Sequence, residues 1–190
     1  THFRRKEKPY ASKKKSYTRY FDSSIHDRGE IANQRGRLGD YEGDTVYGSV
    51  GKGYLITGVD RQSRLTVAAI ARDKTIESTN AAFIAAFRKA KLVPPITLTL
   101  DNGTEFLGFK DLEQALGTKV YFADAHAPWQ RGSNENINGL IRFFFPRGTD
   151  FTKVTDEQLD AVLELINNRP RKCLGYLSPN EFINKVLHLA

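Results

Sequence analysis

The chain has 190 residues, of which 39% are hydrophobic, enough for one domain with a substantial core. Its formal net charge is +7, and it holds one cysteine, Cys173, and no methionine. A single thiol excludes an internal disulfide and fits a reducing compartment, no signal peptide is visible, and no apolar run approaches the ~18–20 residues of a membrane span.

Residues 1–20, THFRRKEKPYASKKKSYTRY, hold eight Lys/Arg against one acid, while the other 170 residues balance at 21 of each. The whole excess sits in a segment without apolar periodicity, expected to be disordered or extended in isolation. Such basic arms usually meet phosphate backbones, where each contact releases counterions. A solubilising tail or a hinge to a missing domain is the plainer reading. A chain that starts at Thr1 and lacks methionine is expected to be a fragment or a processed piece. Residues 21–39 are polar and glycine-punctuated and read as a linker, so 1–39 forms an arm and linker and 40–190 the domain.

From there strands and helices follow in turn. YEGDTVYGSV (41–50) and GYLITGVDR (53–61) read as an antiparallel hairpin, and SRLTVAAIA (63–71) as a third strand. TIESTNAAFIAAFRKA (75–90) is helical, with Ile76, Phe83, Ile84 and Phe87 among its apolar positions. ITLTL (96–100) is a short β-branched strand, EFLGFKDLEQAL (105–116) a helix and KVYFA (119–123) a last strand. Thr155 with Gln158, and Ser178 with Glu181, fit capping boxes that open two further helices. The order of elements predicts an α/β domain on a mixed sheet.

PWQRGSNENINGLIRFFFP (128–146) is the most unusual stretch. A helix there begins after Gly132, with Ser133 as its expected N-cap, and ends by Phe145 because Pro146 lacks an N–H. At about 100° per residue, Ile137, Leu140, Ile141 and Phe144 gather on one side. Glu135, Asn138, Gly139 and Arg142 gather on the opposite side. An ordinary polar outer face explains this as well as a functional one does, although a solvated face needs neither the glycine nor the flanking asparagines.

Two more carboxylates stand out by context. Asp101 follows a strand at the end where α/β sheets commonly bind ligands, though Asp-Asn-Gly is also ordinary turn chemistry. Asp44 lies inside a strand beside Gly43, where acids are depleted, unless that strand is an exposed edge. Convergence of Asp44, Asp101 and Glu135 at one end of the sheet would require a compensating cation. Oxygen ligands alone select Mg²⁺ or Mn²⁺. Glu42, Asp60, Glu105 and Asp124 are competing ligands, Asp124 foremost.

GDTVYG, LTLDNGTEF, YFADAHAPWQRGSNENINGLIRFFFPRGTDF and LDAVLELINNRPRKCLGYLSPNEF resemble the catalytic region of bacterial DDE transposases. The match is with the insertion-sequence thirty family, within the retroviral-integrase-like superfamily, and runs from about residue 38 to 185. The resemblance implies a ribonuclease H-like fold, a mixed five-stranded sheet flanked by helices. It also implies that Asp44, Asp101 and Glu135 are catalytic and hold two Mg²⁺ (or Mn²⁺) ions for DNA 3′-end cleavage and strand transfer. Expected partners are DNA, both element ends and target, and further copies of the chain in a dimer or larger DNA complex. A cytoplasmic, nucleoid-associated location is expected, with no membrane partner.

On this reading Trp129, Arg131, Asn138 and Arg142 line the DNA path, and Arg169, Arg171 and Lys172 form a second patch. Trp129 plugging the core, and Arg/Lys merely answering a helix dipole, are the plainer alternatives. Asp40-Tyr41 stands where the family reads His-Trp, and His126-Ala127 where Tyr-Ser is common; both departures bear on substrate contacts. A nuclease of the same fold that never joins strands, or an idle DNA-binding module, remains an alternative.

Overall fold

The structure, a computed structural model, describes residues 23–188, so the basic arm of residues 1–20 lies outside it. A 3-10 turn, Ile25–Asp27, and a short helix α1, Glu30–Asn33, lead into β1, Asp40–Tyr47. β2, Tyr54–Asp60, and β3, Thr66–Ala71, complete an antiparallel meander. Helix α2, Ile76–Lys89, then carries the chain to β4, Thr97–Leu100, parallel to β1. Helix α3, Phe109–Leu116, carries it on to β5, Lys119–Phe122, parallel to β4. The sheet order is β3-β2-β1-β4-β5. Helices α4, Gly132–Phe144, α5, Asp156–Asn167, and α6, Pro179–His188, follow. The mixed five-stranded sheet expected from the order of elements is therefore present.

Strand alternation divides the core in two. Tyr41 on β1 joins Tyr54, Ile56 and the α2 residues Phe83 and Phe87 on one face. Val46, also on β1, joins Leu55, Val59, Ile137, Ile141, Leu159 and Leu163 on the other, so α2 and α3 cover one side and α4 and α5 the other. By the same period of two, Glu42, Asp44 and Val46 share the α4 side. Gly43 is needed on the α2 side, where a Cβ would come within 2.5 Å of the Leu100 side chain.

Both capping boxes form. Thr155 and Gln158 exchange side-chain and backbone bonds at α5. Ser178 N donates to Glu181 Oε2 at 2.8 Å, and Glu181 N to Ser178 Oγ at 3.2 Å, at α6.

Three local expectations differ. The single helix expected over 105–116 is a 3-10 turn, Thr104–Phe106, followed by α3, because Gly108 packs against α2 where a Cβ would lie 2.1 Å from Ile76. Helix α4 starts at Gly132 with Arg131 in the cap position and no side-chain cap, so Ser133 is not its N-cap. Residues 23–39, read as linker, pack on the domain. Arg28 is buried and donates to Thr99 Oγ1 at 2.9 Å, and Arg61 donates to Ala32 O at 3.0 Å. This docking left no sequence signal, because its anchors are long-range arginine bonds rather than a periodic apolar face.

Among the described residues, no helix is long and apolar enough to cross a membrane.

At Gly48 a methyl group would fall 2.0 Å from Thr149 O, a backbone atom that cannot turn aside. Gly48→Ala is expected to destabilise the domain by about 1–3 kcal/mol. The check is a lower urea midpoint at unchanged m-value.

Candidate active site

The parallel β1–β4 ladder pairs Asp40 with Thr97, Tyr41 with Leu98 and Glu42 with Thr99. Continued by two residues, that register sets Asp44 abreast of Asp101, just past the end of β4. The sheet thus brings together two carboxylates far apart in sequence. Between them lies the guanidinium of Arg131. Its Nη2 donates to Asp101 Oδ2 at 3.1 Å, while Nη1 donates to Gly43 O at 3.1 Å and lies 3.4 Å from Asp44 Oδ1.

Neutral N–H groups also hold the two carboxylates. Asn138 Nδ2 donates to Asp44 Oδ2 at 2.7 Å, Thr45 N to Asp44 Oδ1 at 2.9 Å, and Gly103 N to Asp101 Oδ1 at 3.0 Å. Burial pushes the Asp101 carboxyl up from its ordinary range; Arg131 and Gly103 N–H oppose the rise, and the charges of Asp44 and Glu105 add to it.

Helix α4 is anchored across the sheet. Glu42, wholly buried on β1, accepts from Ser133 N at 2.9 Å and from Asn134 N at 3.4 Å. These are orphan amides of the first helical turn, satisfied by a carboxylate 91 residues away. The other Glu42 oxygen pairs with Arg61, which is itself held by the carbonyls of Ala32 and Asn33. Arg64 Nη1 donates to Ser133 Oγ at 2.6 Å, so Ser133 ties α4 to the β2–β3 turn instead of capping it.

Thus fixed, α4 turns Arg131, Glu135, Asn138 and Arg142 along one face at helical spacing. Glu135 lies one turn from Arg131, which touches both aspartates, and one turn from Asn138, which touches Asp44. It is exposed and has no hydrogen-bond or ion-pair partner among the described residues. Polar atoms without partners run along the same side. Both amide atoms of Asn134 (1% exposed), Asn138 Oδ1 and Arg142 Nη1 are buried and unpaired among the described residues. Buried polar atoms are ordinarily satisfied, so this strip is suited to a polar ligand.

The other expected site residues are placed as follows. Trp129 is 76% exposed, which excludes the core-plug reading. Arg169 and Lys172 are exposed, and Arg171 Nη2 donates to Ile166 O at 2.9 Å. Of the competing acids, Glu42 is consumed by α4 and Arg61, and Asp60 accepts from Gly39 N and Ser63 at the far end of β2. Asp124 accepts from Gln130 Nε2 at 2.9 Å and lies 2.8 Å from His26 Nε2. Glu105 alone stays beside Asp101, accepting from Tyr47 O–H at 2.7 Å. Tyr47 carried no sequence signal beyond its place three residues after Asp44. Arg131 had one, a cation a helical turn before Glu135.

Among the described residues, no three Asp, Glu, His or Cys side chains are gathered to hold a metal ion. Asp44 and Asp101 nevertheless fit one by their chemistry. They form an oxygen-only pair, the donor set hard cations select, and the Arg131 guanidinium already spans it with a positive charge.

The integrase core domain family matches residues 35–128. A transposase for insertion sequence element IS4351 of Bacteroides fragilis is 41% identical over 165 residues, which cover 86% of this chain and 50% of the relative. Transposase InsI for insertion sequence element IS30A of Escherichia coli (strain K12) is 40% identical over 161 residues, 85% of this chain and 42% of the relative. The chain thus spans about half the length of the curated relatives it matches. Among solved structures, the HTLV-2 integrase catalytic core domain, in complex with magnesium, aligns with TM-score 0.55 at 19% identity, over 75% of this chain and 94% of that one. A chain of the simian T-cell lymphotropic virus intasome aligns with TM-score 0.59 at 20% identity, over 75% and 53%. These two likenesses show the fold, the ribonuclease H-like sheet of retroviral integrase cores.

Removing Glu42 leaves Arg61 buried without its carboxylate and the first turn of α4 without a cap. Glu42→Ala is expected to lose about 3–5 kcal/mol of stability. Urea unfolding followed by tryptophan fluorescence measures it, since Trp129 in the preceding turn is the only tryptophan of the chain.

Proposed function

This chain belongs to the integrase core family, alongside the transposases of insertion sequence elements, and on that premise we propose that it is the catalytic domain of such a transposase. The single observation that carries the proposal is the sheet register that sets Asp44 abreast of Asp101 under a helix bearing Glu135. The reaction is phosphoryl transfer on DNA. Water attacks the phosphorus at an element end, the P–O3′ bond breaks, and the departing oxygen leaves as a 3′-OH. That hydroxyl then attacks a target phosphodiester, joining the strands while a target 3′ oxygen leaves.

Asp44 and Asp101 would hold a divalent cation, Mg²⁺ or Mn²⁺, and Glu135 would complete a second site from α4. Bound there, such ions polarise the scissile phosphate and lower the pKa of the attacking water. Asn138 keeps Asp44 in one rotamer by holding its Oδ2, which leaves Oδ1 directed at Arg131. Arg131 is the internal counter-ion of the pair; with a cation held by the two aspartates, its guanidinium would be free to pair with the DNA path beside Trp129. Gly139 leaves the helix open beside that path, since a Cβ there would meet nothing within 4 Å. Arg142, with a buried Nη1 awaiting an acceptor, suits a phosphate oxygen. Both element ends and the target enter one assembly, so a DNA-bound dimer or larger is the functional form.

Two measurements test this. Mn²⁺ at about 100 times its Kd should stabilise the chain by ~2.7 kcal/mol in thermal unfolding, and Asp44→Asn or Asp101→Asn should abolish the gain. With duplexes bearing precut 3′-OH ends, Asp101→Asn should lower joined product at least about 100-fold; cleavage without joined product would instead favour the nuclease reading.

Arg131 competes with the cation for the same oxygens. Arg131→Gln is therefore expected to tighten Mn²⁺ binding about tenfold, ~1.4 kcal/mol, in calorimetric titration. Unchanged affinity would refute the counter-ion role.

A further inference from the structure

On the other flank of the first turn of α4 lies a cavity of about 500 Å³ that the chemistry above does not use. Arg35, Arg64, Arg169, Arg171 and Lys172 converge on it, and among the described residues no aspartate or glutamate lines it. Its apolar floor includes Ile137 and Leu140 of α4 and Pro170. The five cations come from three separate segments: the turn after α1, the β2–β3 turn and the loop after α5. Convergence from three places does not follow from a helix dipole, which explains at most the residues trailing α5.

Two of these residues hold unfavourable backbone geometry. Arg35 has φ 58° and Arg64 φ 65°, left-handed conformations that non-glycine residues rarely adopt and that concentrate at functional sites. The side chain of Arg171 has its Nε buried without a partner among the described residues. Burial and the neighbouring charge of Arg169 push the Arg171 guanidinium down from its ordinary value. Arg28, buried nearby, is pushed down to about 10 by burial and by Arg61, with Arg35 adding to the repulsion. Among the described residues no acid of the cavity wall faces the cluster.

We propose that this cavity is a second phosphate-binding site, holding the sugar–phosphate backbone of the DNA one helix width from the reacting phosphodiester. The inference rests on the transposase reading for its polyanion. The cationic rim over an apolar floor matches a sugar–phosphate unit better than a free inorganic anion, since Ile137 and Leu140 would pack against the sugar. Helix α4 is about 10–12 Å across with its side chains, so a strand passing the carboxylate cleft reaches the cavity within about three to four nucleotides. The site reads no sequence; it fixes the register of the strand against Asp44 and Asp101.

The test uses the whole 190-residue chain and a fluorescent 30-bp duplex of arbitrary sequence, with Kd measured against KCl concentration. Arg169 and Lys172 are exposed and unbonded to the fold, so Arg169→Ala with Lys172→Ala should leave folding intact. The double variant should lower the slope of log affinity against log salt by about 1.8, or 0.9 per lost phosphate contact. Arg35→Asn, which removes the charge but tolerates left-handed backbone, should lower it by about 0.9 more. Weakening should be equal on unrelated duplex sequences, with Mn²⁺ stabilisation unchanged.

An unchanged slope would overturn the proposal, as would a loss confined to one duplex sequence. So would equal loss of binding to an acidic polypeptide such as polyglutamate with duplex binding intact, which marks a protein-docking surface. Loss of Mn²⁺ binding in Asp101→Asn is a separate result, so failure here and failure of the catalytic reading are told apart.

Discussion

A single buried carboxylate holds the two halves of this molecule in relation. Glu42 has no access to solvent, yet it bonds the first turn of α4 on one side and Arg61 on the other. Through Arg61 it reaches the carbonyls of the α1 segment, and through Ser133 and Asn134 it sets the start of the helix that carries Glu135. An ion in that position is tolerable only because both oxygens are spoken for. The helix it serves starts at a glycine and has no cap of its own. Fold and site therefore share one dependency: the same carboxylate that docks α1 also sets the face of α4 that carries Glu135 and Asn138.

The site itself shows the opposite electrostatic strategy. Asp44 and Asp101 are brought abreast by parallel strand register, a matter of backbone hydrogen bonds that takes no account of their charge. Burial and the charges of Asp44 and Glu105 raise the proton affinity of Asp101, and the Arg131 guanidinium between the two aspartates opposes the rise. Arg61 is buried between Glu42 and the carbonyls of Ala32 and Asn33, whereas Arg131, in the 3-10 turn Pro128–Arg131 just ahead of α4, spans two part-exposed aspartates and the carbonyl of Gly43.

Much of this was legible in the sequence. Strand and helix periodicities located all five strands, both capping boxes appeared where Thr155 and Ser178 announced them, and Pro146 ended α4 on schedule. The pairing of Asp44 with Asp101 was readable only as convergence, because register is a property of the assembled sheet. Ser133 misled for a physical reason: its hydroxyl looks like a cap, but Arg64 claims it and Glu42 performs the capping from a distance. The docking of residues 23–39 was hidden likewise, since buried arginines bonding carbonyls leave no hydrophobic pattern. The bridging of both aspartates by Arg131, and the bond from Tyr47 to Glu105, depend on tertiary proximity alone.

The lone thiol of the chain, at Cys173, lies on the rim of the basic cavity and is exposed. A maleimide dye added to the unaltered protein would therefore attach at one known spot, with no engineered cysteine and no background label. Its emission would report directly on anything that settles beside α4, which makes this protein its own sensor for occupancy of that groove.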